Sequence, residues 1–280
     1  MATSAHDLPY ATCAHCFEGS RLQGEPWGTL YEERIGGLRY YLAQGAGGRS
    51  AGDSSGKADD AEAGENAAIV LGTDIFGLAL PNPKIMADLF AERTGRDVYV
   101  PDLFDGDYID MKELKPPGGG EPTSASQRWR EKYSIANVRP SVDKFCSALK
   151  QEKSLSRLGF VGYCYGGIFS ILLAQEDSPV DVAVCAHPGK LDLADFERVR
   201  KPLALILAEE DKFFDEQKPE ALPVLERISR DLGVPVAVHD NHPGTSHGFG
   251  CRPDLSSEAL RKAWERACEE TVEWLRLHLH

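Results

Sequence analysis

The sequence predicts an α/β protein built on a mostly parallel, twisted sheet with helices on both faces and an antiparallel hairpin at its N-terminal edge. Two observations support this class. From about residue 67 onward, short apolar segments of strand length alternate with longer segments of helical periodicity, as in βα units with parallel strands. Ahead of them, two β-like segments, Thr29–Ile35 and Leu38–Ala43, flank Gly36 and Gly37. Paired glycines between such segments are typical of a tight hairpin turn.

Length, charge and cysteine usage exclude several classes of function. The 280 residues carry a formal net charge of −13 and a pI near 5.1, so neither nucleic acid nor an anionic membrane is an expected partner, because both need a basic face. No segment approaches the roughly 20 continuous apolar residues of a membrane span, and residues 1–10 lack signal-peptide features. We therefore expect a cytoplasmic protein. Its seven cysteines are expected to be reduced thiols, since their number is odd and no disulfide framework is evident.

Two segments near the N-terminus are polar and irregular. We expect residues 1–26 to form an irregular N-terminal segment and residues 27–280 to form a single domain. Cys13 and Cys16 form a Cys-x-x-Cys pair, but no second ligand pair follows at a suitable spacing, so no metal site is predicted there. Residues 45–66 contain no large apolar side chain, which predicts a surface loop.

The remaining elements alternate between strands and helices. Beyond the strand that ends in the Gly162–Gly166 turn described below, the predicted strands are residues 67–71, 97–101, 180–186, 202–208 and 235–239. The predicted helices are residues 82–95, 129–152, 168–174, 222–232 and 257–279. Pro140 is expected to break or kink the second of these helices.

The segment Gly162-Tyr-Cys164-Tyr-Gly166 has the pattern Gly-x-nucleophile-x-Gly. In this pattern a sharp turn between a strand and a helix holds the nucleophile above the sheet, and glycines flank it because the turn leaves no room for side chains. The N-terminus of the following helix would stabilise a thiolate at Cys164. The alternative is a buried structural cysteine in a glycine-rich turn.

Polar side chains follow most of the predicted strands, where parallel sheets bind their ligands. They are Asp74, Asp102, Cys164, His187, Asp211 and His247. Cys164, Asp211 and His247 occur in the chain order nucleophile, acid, histidine, which is that of the α/β-hydrolase triad. This order predicts that Cys164 is the nucleophile.

The predicted chemistry is acyl transfer through a thiolate. His247 would accept the proton of Cys164, and Asp211 would orient the imidazole and stabilise its charged form. The backbone N–H groups of Ile75 and Tyr165 are expected to bind the oxyanion. The neighbouring carboxylates Glu209, Glu210 and Asp215 are alternatives to Asp211, because strand ends are not fixed to within a residue.

Together these residues resemble the dienelactone hydrolase family of cysteine-dependent enzymes with the α/β-hydrolase fold. The matching segments are Asp74–Gly77, Pro101–Phe104, Gly162–Gly167, Asp211 and His247–Phe249, and His187-Pro-Gly189 is similar to the fungal branch. The resemblance extends from about Trp27 to the C-terminus. It implies one domain, a cytosolic setting and neither metal nor organic cofactor.

The sequence departs from that family's pattern at two positions. Family members that cleave dienelactone have a glutamate at the position of Asp74, where it restrains the resting thiol, and an arginine where this chain has Asp105 and Asp107. Arg252 matches the second arginine that binds the substrate carboxylate. We therefore expect Asp74 to control the thiol and Arg252 to contact substrate, but we do not expect a dicarboxylate-like dienelactone as the natural substrate.

Aromatic residues close to the predicted nucleophile, acid and base suggest an apolar or aromatic acyl group, such as a polyketide-type lactone. They are Tyr163, Tyr165, Phe213, Phe214 and Phe249. His187 either lines the pocket or caps a strand end. A zinc site formed by His239, His242 and His247 has suitable residue types, but it would occupy the predicted base.

The sequence therefore predicts a hydrolase of small esters or lactones, and thioesters are also suitable because a thiolate exchanges acyl groups readily. One alternative is a non-hydrolytic acyl transfer or lactonisation in a biosynthetic pathway. Another is a catalytically silent protein that binds a small ligand, since a fold does not determine a function. Both a monomer and a homodimer are compatible with the sequence.

Overall fold

A computed structural model describes residues 20–46, 66–109 and 123–280. The Cys13/Cys16 pair and most of the predicted surface loop at 45–66 lie outside the described residues. Within the part that is described, no helix is long and apolar enough to cross a membrane. Its five cysteines are free thiols, and all are buried.

Eight strands of the described residues form one sheet in the order β1-β2-β4-β3-β5-β6-β7-β8. In chain order they are β1 (Thr29–Ile35), β2 (Leu38–Ala43), β3 (Ala67–Gly72), β4 (Asp97–Pro101), β5 (Arg157–Tyr163), β6 (Val182–Ala186), β7 (Leu203–Ile206) and β8 (Val236–His239). β1 pairs with β2 and β2 with β4 in antiparallel fashion, and the remaining pairs are parallel. The predicted hairpin at the edge of a mostly parallel sheet is confirmed.

Seven α-helices of the described residues connect and cover these strands. They are α1 (Asn82–Thr94), α2 (Ser124–Lys132), α3 (Ile135–Glu152), α4 (Tyr165–Leu173), α5 (Leu193–Glu197), α6 (Lys218–Leu232) and α7 (Glu258–His278). The short helix α5 was not predicted, because five residues are too few to show a periodicity. A capping box between Asp192 and Asp195 starts it.

Pro140 was expected to break or kink the helix, and the break does not occur there. The chain leaves the helical conformation earlier, at Tyr133 and Ser134, and Pro140 lies inside α3. Pro140 lacks an N–H, so α3 loses the backbone hydrogen bond to the Ala136 carbonyl but continues to Glu152. Tyr133 instead ends α2, and its hydroxyl donates a hydrogen bond to the Phe104 carbonyl at 2.9 Å.

Alternating side chains of the strands enter two apolar clusters, one on each face of the sheet. In β5, Phe160 belongs to the cluster covered by α3, α4 and α6, and Val161 to the cluster covered by α1 and α7. This alternation follows from the two-residue repeat of a strand. It places Cys164 on the α3–α4–α6 side and Tyr163 on the opposite side.

Candidate active site

The turn between β5 and α4 places Cys164 in a strained backbone conformation. Its φ is 55° and its ψ is −110°, which an L-residue other than glycine rarely adopts. A Cβ on Gly162 would lie 2.1 Å from the Gly166 carbonyl oxygen, and one on Gly166 would lie 2.2 Å from that of Gly72. Both flanking positions therefore accept only glycine, as the sequence pattern predicted.

Hydrogen bonds to the neighbouring strands hold this turn in place. The Cys164 N–H donates to the Ala186 carbonyl at 3.1 Å, and the Gly166 N–H donates to the Thr73 carbonyl at 2.9 Å. These carbonyls lie at or beyond the carboxyl ends of β6 and β3. The turn is thus fixed at the edge of the sheet where ligands of parallel sheets bind.

His247 and Asp211 lie beside Cys164, although the three residues come from separate loops. The Nε2 atom of His247 is 3.1 Å from the Cys164 Sγ atom, and its Nδ1 atom is 2.9 Å from both carboxylate oxygens of Asp211. All three side chains are buried. The structure brings the predicted nucleophile, base and acid into one chain of contacts.

The alternative carboxylates near Asp211 point elsewhere. Glu209 accepts a hydrogen bond from the Gly244 N–H at 2.6 Å, and Asp215 accepts one from the Asp211 N–H at 2.8 Å. Glu210 is exposed. Asp211 is therefore the carboxylate that contacts His247.

The charges around His247 favour its imidazolium form. Burial opposes a charge on the ring, but the Cys164 sulfur and the Asp211 carboxylate together raise the pKa of His247. With Nδ1–H donating to Asp211, Nε2 is the atom that can accept the proton of Cys164. The geometry is thus compatible with an imidazolium–thiolate pair.

Asp74 forms a buried ion pair with Arg252. The Arg252 Nε–H donates to Asp74 Oδ2 at 2.8 Å, and both side chains are at least nine-tenths buried. Burial raises the pKa of Asp74, the Arg252 charge opposes this, and the charge of Cys164 adds to the increase. Asp74 therefore interacts electrostatically with the Cys164 sulfur, while it accepts hydrogen bonds from the Arg252 Nε–H, the Phe76 N–H and the Cys251 thiol.

Cys251 joins this group, although no sequence motif had marked it as a candidate site residue. Its Sγ atom is 3.5 Å from Asp74 Oδ2. Burial first, and then the Asp74 charge, keep the pKa of Cys251 well above its ordinary value. Cys251 is thus a neutral thiol. The two residues are 177 positions apart in the chain, so no local pattern could have paired them.

The two predicted oxyanion donors come from two loops at the same edge of the sheet. Tyr165 is the first residue of α4, and Ile75 lies in the loop after β3. Asp74 Oδ1 accepts the Phe76 N–H at 3.0 Å, and no hydrogen bond among the described residues engages the Ile75 N–H.

His187 is fully buried behind His247. Its ring centroid is 5.1 Å from that of His247 and 5.7 Å from that of Phe249. Neither of its ring nitrogens has a hydrogen-bond partner in the described part of the chain, and its φ is 35°. Burial, and then the charges of His247 and Arg252, hold the pKa of His187 well below its ordinary value. It is therefore a neutral ring.

The five aromatic residues predicted to lie near the nucleophile, acid and base do not form one continuous surface. Phe213 packs against His247 with ring centroids 4.5 Å apart, and Tyr165 packs against Phe104 at 5.5 Å. Phe214 instead contacts Phe196 in the core. Tyr163 and Phe249 contact His187 on the other side of the sheet.

Asp102, the remaining candidate at a strand end, is engaged elsewhere. Two nitrogens of Arg39 contact its Oδ2 atom at 2.8 Å, and the Tyr108 hydroxyl donates to the same atom at 2.9 Å. Asp105 pairs with Arg34. This network fastens the loop after β4 to the hairpin.

The zinc alternative is not supported by the contacts of its histidines. Nε2 of His242 is 2.8 Å from Glu270, and Nδ1 of His239 is 3.4 Å from the same carboxylate. His247 contacts Cys164 and Asp211 instead. No group of three or more potential metal ligands occurs among the residues that the structure describes.

A groove of about 490 Å³ reaches the loop that carries His247. It is lined by Ser20, by Gly244 to His247, and by Phe249, Arg252, Pro253, Asp254 and Leu260. Arg252 thus borders this groove while its Nε–H is held by Asp74. Cys164 itself is fully buried.

Comparisons with known proteins agree with this architecture. The sequence profile of the dienelactone hydrolase family matches residues 57–279. The chain is 29% identical over 273 residues to hydrolase tropI of Talaromyces stipitatus, covering 97% of this chain and 98% of that one. It is 28% identical over 215 residues to a carboxymethylenebutenolidase homolog of Mus musculus, covering 76% and 82% of the two chains. The crystal structure of dienelactone hydrolase from Anabaena variabilis superposes with a TM-score of 0.56 at 13% identity, covering 91% and 99%.

Proposed function

Because the chain belongs to the dienelactone hydrolase family, with its α/β-hydrolase fold and its ester- and lactone-cleaving activity, we propose that it cleaves its substrate by a cysteine-dependent mechanism. Cys164 is the nucleophile, His247 the general base and Asp211 the residue that orients His247. The single observation that carries this proposal is the 3.1 Å contact between Cys164 Sγ and His247 Nε2, which continues to Asp211 at 2.9 Å.

The first half of the reaction forms a thioacyl enzyme. The Cys164 thiolate attacks the ester or lactone carbonyl, and the new oxyanion accepts hydrogen bonds from the Ile75 and Tyr165 N–H groups. His247 then donates its proton from Nε2 to the leaving alcohol oxygen as the C–O bond breaks. In a lactone the leaving alcohol stays attached to the acyl group.

The second half releases the acid. His247 Nε2 removes a proton from a water molecule, which attacks the thioacyl carbonyl, and the Cys164 thiolate leaves. Asp211 stabilises the imidazolium that forms in both halves. The buried Asp74–Arg252 pair sets how readily the resting thiol ionises, because Asp74 is a negative charge close to the sulfur.

We propose that the substrate is a neutral ester or lactone with an apolar or aromatic acyl group. Phe213 packs against His247, and Asp74 engages the Arg252 Nε–H, so that guanidinium is partly neutralised before any substrate carboxylate arrives. The mouse relative is named a carboxymethylenebutenolidase homolog. A butenolide is an unsaturated lactone, which supports a lactone substrate here.

The test is turnover of a chromogenic short-chain ester by the wild type and by Cys164→Ala. We expect Cys164→Ala to lower kcat/KM by roughly a thousandfold or more, since the nucleophile is lost. Iodoacetamide should label Cys164 in the wild type, as read by mass spectrometry of the tryptic peptide.

Cys146→Ala is the matched control, because Cys146 is an equally buried thiol on α3. It should keep wild-type labelling at Cys164 and turnover within about threefold. Equal turnover by Cys164→Ala and the wild type, or a wild type that neither turns over esters nor is labelled at Cys164, would refute the proposal.

A further inference from the structure

The side chain of Asn82 joins three separate parts of the chain. Asn82 is the first residue of α1 and is 1% exposed. Its Oδ1 atom accepts the Leu22 N–H at 3.2 Å. Its amide nitrogen donates to the Ser20 carbonyl at 3.0 Å and to the Cys251 carbonyl at 2.8 Å. Both of its N–H groups and its oxygen are therefore used.

One of these partners lies in the loop that carries His247. We call residues 240–257, between β8 and α7, the histidine loop, and residues 73–81, between β3 and α1, the β3–α1 loop. Asn82 directly follows the β3–α1 loop and bonds the histidine loop at Cys251. Asp74, near the start of the same β3–α1 loop, bonds the next residue, Arg252, at 2.8 Å. Two adjacent contacts thus tie the loop of the oxyanion donor Ile75 to the loop of the base.

The other partners lie in the segment ahead of β1. We call residues 20–28 the N-terminal strap. It is fastened at two points on α1, by Asn82 at one end and by Asp88 at the other, where Asp88 accepts the Trp27 N–H at 2.8 Å and the Tyr41 hydroxyl at 2.6 Å. Ser20, at the Asn82 end, also lines the groove that reaches His247.

Asn82 and Asp88 both hold the N-terminal strap, but they differ in their other contacts. Both are buried polar side chains of α1 that hold the strap. Asn82 alone of the two also contacts the histidine loop in the described residues; the partners of Asp88 are the strap and β2. Asp88 therefore provides a matched comparison that separates holding the strap from holding the loop.

We propose that Asn82 is a positioning residue for the hydrolytic reaction: through Cys251 it holds the histidine loop at the distance from the β3–α1 loop at which His247 contacts Cys164. This inference rests on the proposed function and adds to it a residue that touches neither substrate nor the reacting atoms. Its effect reaches His247 through the loop backbone, because Cys251 and His247 lie only four residues apart in the histidine loop. The Asn82 side chain also holds the N-terminal strap. One amide group therefore positions both the groove wall at Ser20 and the loop that carries His247.

The test compares Asn82→Ala with Asp88→Ala. We measure kcat and KM with a chromogenic ester, the pH dependence of Cys164 alkylation by iodoacetamide, and the urea unfolding free energy. Asn82→Ala should lower kcat by roughly tenfold to a hundredfold, as expected for a misplaced base. It should also move the alkylation midpoint to higher pH, because a displaced His247 stabilises the thiolate less.

Asp88→Ala should lower the urea unfolding free energy by about as much as Asn82→Ala does. It should leave kcat and the pH midpoint of Cys164 alkylation at their wild-type values. Asn82→Asp is the second variant, because its remaining Oδ1 can still accept the Leu22 N–H while the donor to Cys251 is lost; it should reproduce the effect on kcat. Equal kcat losses in Asn82→Ala and Asp88→Ala, or an unchanged alkylation midpoint in both Asn82 variants, would overturn the proposal. If the wild type shows no Cys164-dependent turnover, the proposed function fails, and the alkylation profiles alone decide the role of Asn82.

Discussion

The ionisation of Cys164 is governed by opposing charges on the side chains around it. His247, 3.1 Å away, favours the thiolate, and its pKa is raised by the Cys164 sulfur and by Asp211. Asp74 acts in the opposite direction, since a negative charge near the sulfur disfavours a second one. Arg252 partly neutralises Asp74. We therefore expect the balance of these groups, rather than Cys164 alone, to set the reactivity of the proposed nucleophile.

Replacing Asp74 should therefore make the thiol easier to ionise. Asp74→Asn removes the negative charge and leaves the positive charge of Arg252 in place, and both changes favour the thiolate. We expect the midpoint of Cys164 alkylation by iodoacetamide to move to lower pH by roughly half a unit to one unit. The measurement is the second-order alkylation rate constant from pH 4 to pH 10 (about 0.5-unit steps).

Asp105→Asn is the control for this experiment. Asp105 is an exposed aspartate that pairs with Arg34, so the same change of formal charge occurs far from the sulfur and is screened by solvent. Its alkylation profile should match that of the wild type. An unchanged profile in Asp74→Asn would remove Asp74 from the control of the thiol.

At the level of elements, the turn from β5 to α4 is fixed by how closely its backbone approaches β3. Gly166 lies against the carbonyl of Gly72, and the Gly166 N–H bonds the Thr73 carbonyl. This contact sets the distance between Cys164 and the β3–α1 loop. Because Gly166 has no side chain, the turn packs closely against the end of β3. This packing brings the proposed nucleophile and the loop of the proposed oxyanion donor together.

A methyl group at Gly166 should disrupt this element. In Gly166→Ala the new Cβ would lie 2.2 Å from the Gly72 carbonyl oxygen. This oxygen belongs to the backbone of β3, which cannot easily move away. We expect the unfolding free energy in urea to fall by about 3 kcal/mol or more, as in strongly overpacked cores.

Gly233→Ala serves as the comparison for Gly166→Ala. Gly233 ends α6 with φ at 68° and has no atom within 4 Å of a built Cβ, so the substitution costs only the left-handed backbone conformation, about 1 kcal/mol. Equal losses of stability in the two variants would contradict the steric account of the turn.

Across the whole molecule, the loops that follow β3, β5, β7 and β8 meet at one edge of the sheet, and α7 packs behind them. A buried contact joins the histidine loop to that helix. Nδ1 of His242 is 2.7 Å from the Leu207 carbonyl and Nε2 is 2.8 Å from Glu270 on α7. Both ring nitrogens thus face oxygen atoms, so this contact joins the histidine loop to Leu207, directly after β7, and to α7.

The charge of Glu270 should contribute to stability in a pH-dependent way. Burial opposes that charge, but hydrogen bonds from His239 and His242 lower the pKa of Glu270 from 4.5 to about 2. A lowered folded-state pKa gives a stabilisation that is complete above about pH 4.5 and is lost as the pH falls towards about 2. A shift of this size corresponds to at most about 3 kcal/mol. The measurement is urea unfolding at several pH values between about pH 3 and pH 7. At about pH 7, Glu270→Gln should be less stable than the wild type. As the pH falls, the unfolding free energy of Glu270→Gln should decrease less than that of the wild type.

Glu269→Gln provides the matched control on the same helix. Glu269 forms an ion pair with Arg93 in which both side chains are well exposed, and such pairs contribute about 0–1 kcal/mol. Its stability should follow that of the wild type at every pH. If Glu270→Gln also followed the wild type, the contact with His242 would not stabilise the protein through charge.

Much of the fold and part of the site could be predicted from local patterns. The hairpin at Gly36 and Gly37, the alternation of strands and helices, and the turn around Cys164 each depend on residues close in sequence, and the structure contains all three. The start of α4 at Tyr165 and the break at Tyr133 were not predicted correctly, because contacts with distant residues decide where a helix begins and ends.

What the sequence determined by itself was the family, the fold, the proposed nucleophile Cys164 and the proposed base His247. Tertiary structure alone decided that Asp211 rather than its acidic neighbours contacts His247, that Asp74 bonds Arg252, and that Asn82 bonds the loop that carries His247. The physical reason is the length scale of each signal. Turns and periodicities depend on steric and apolar preferences within a few residues, whereas these hydrogen bonds join residues up to 178 positions apart and exist only once the sheet has aligned its loops at one edge.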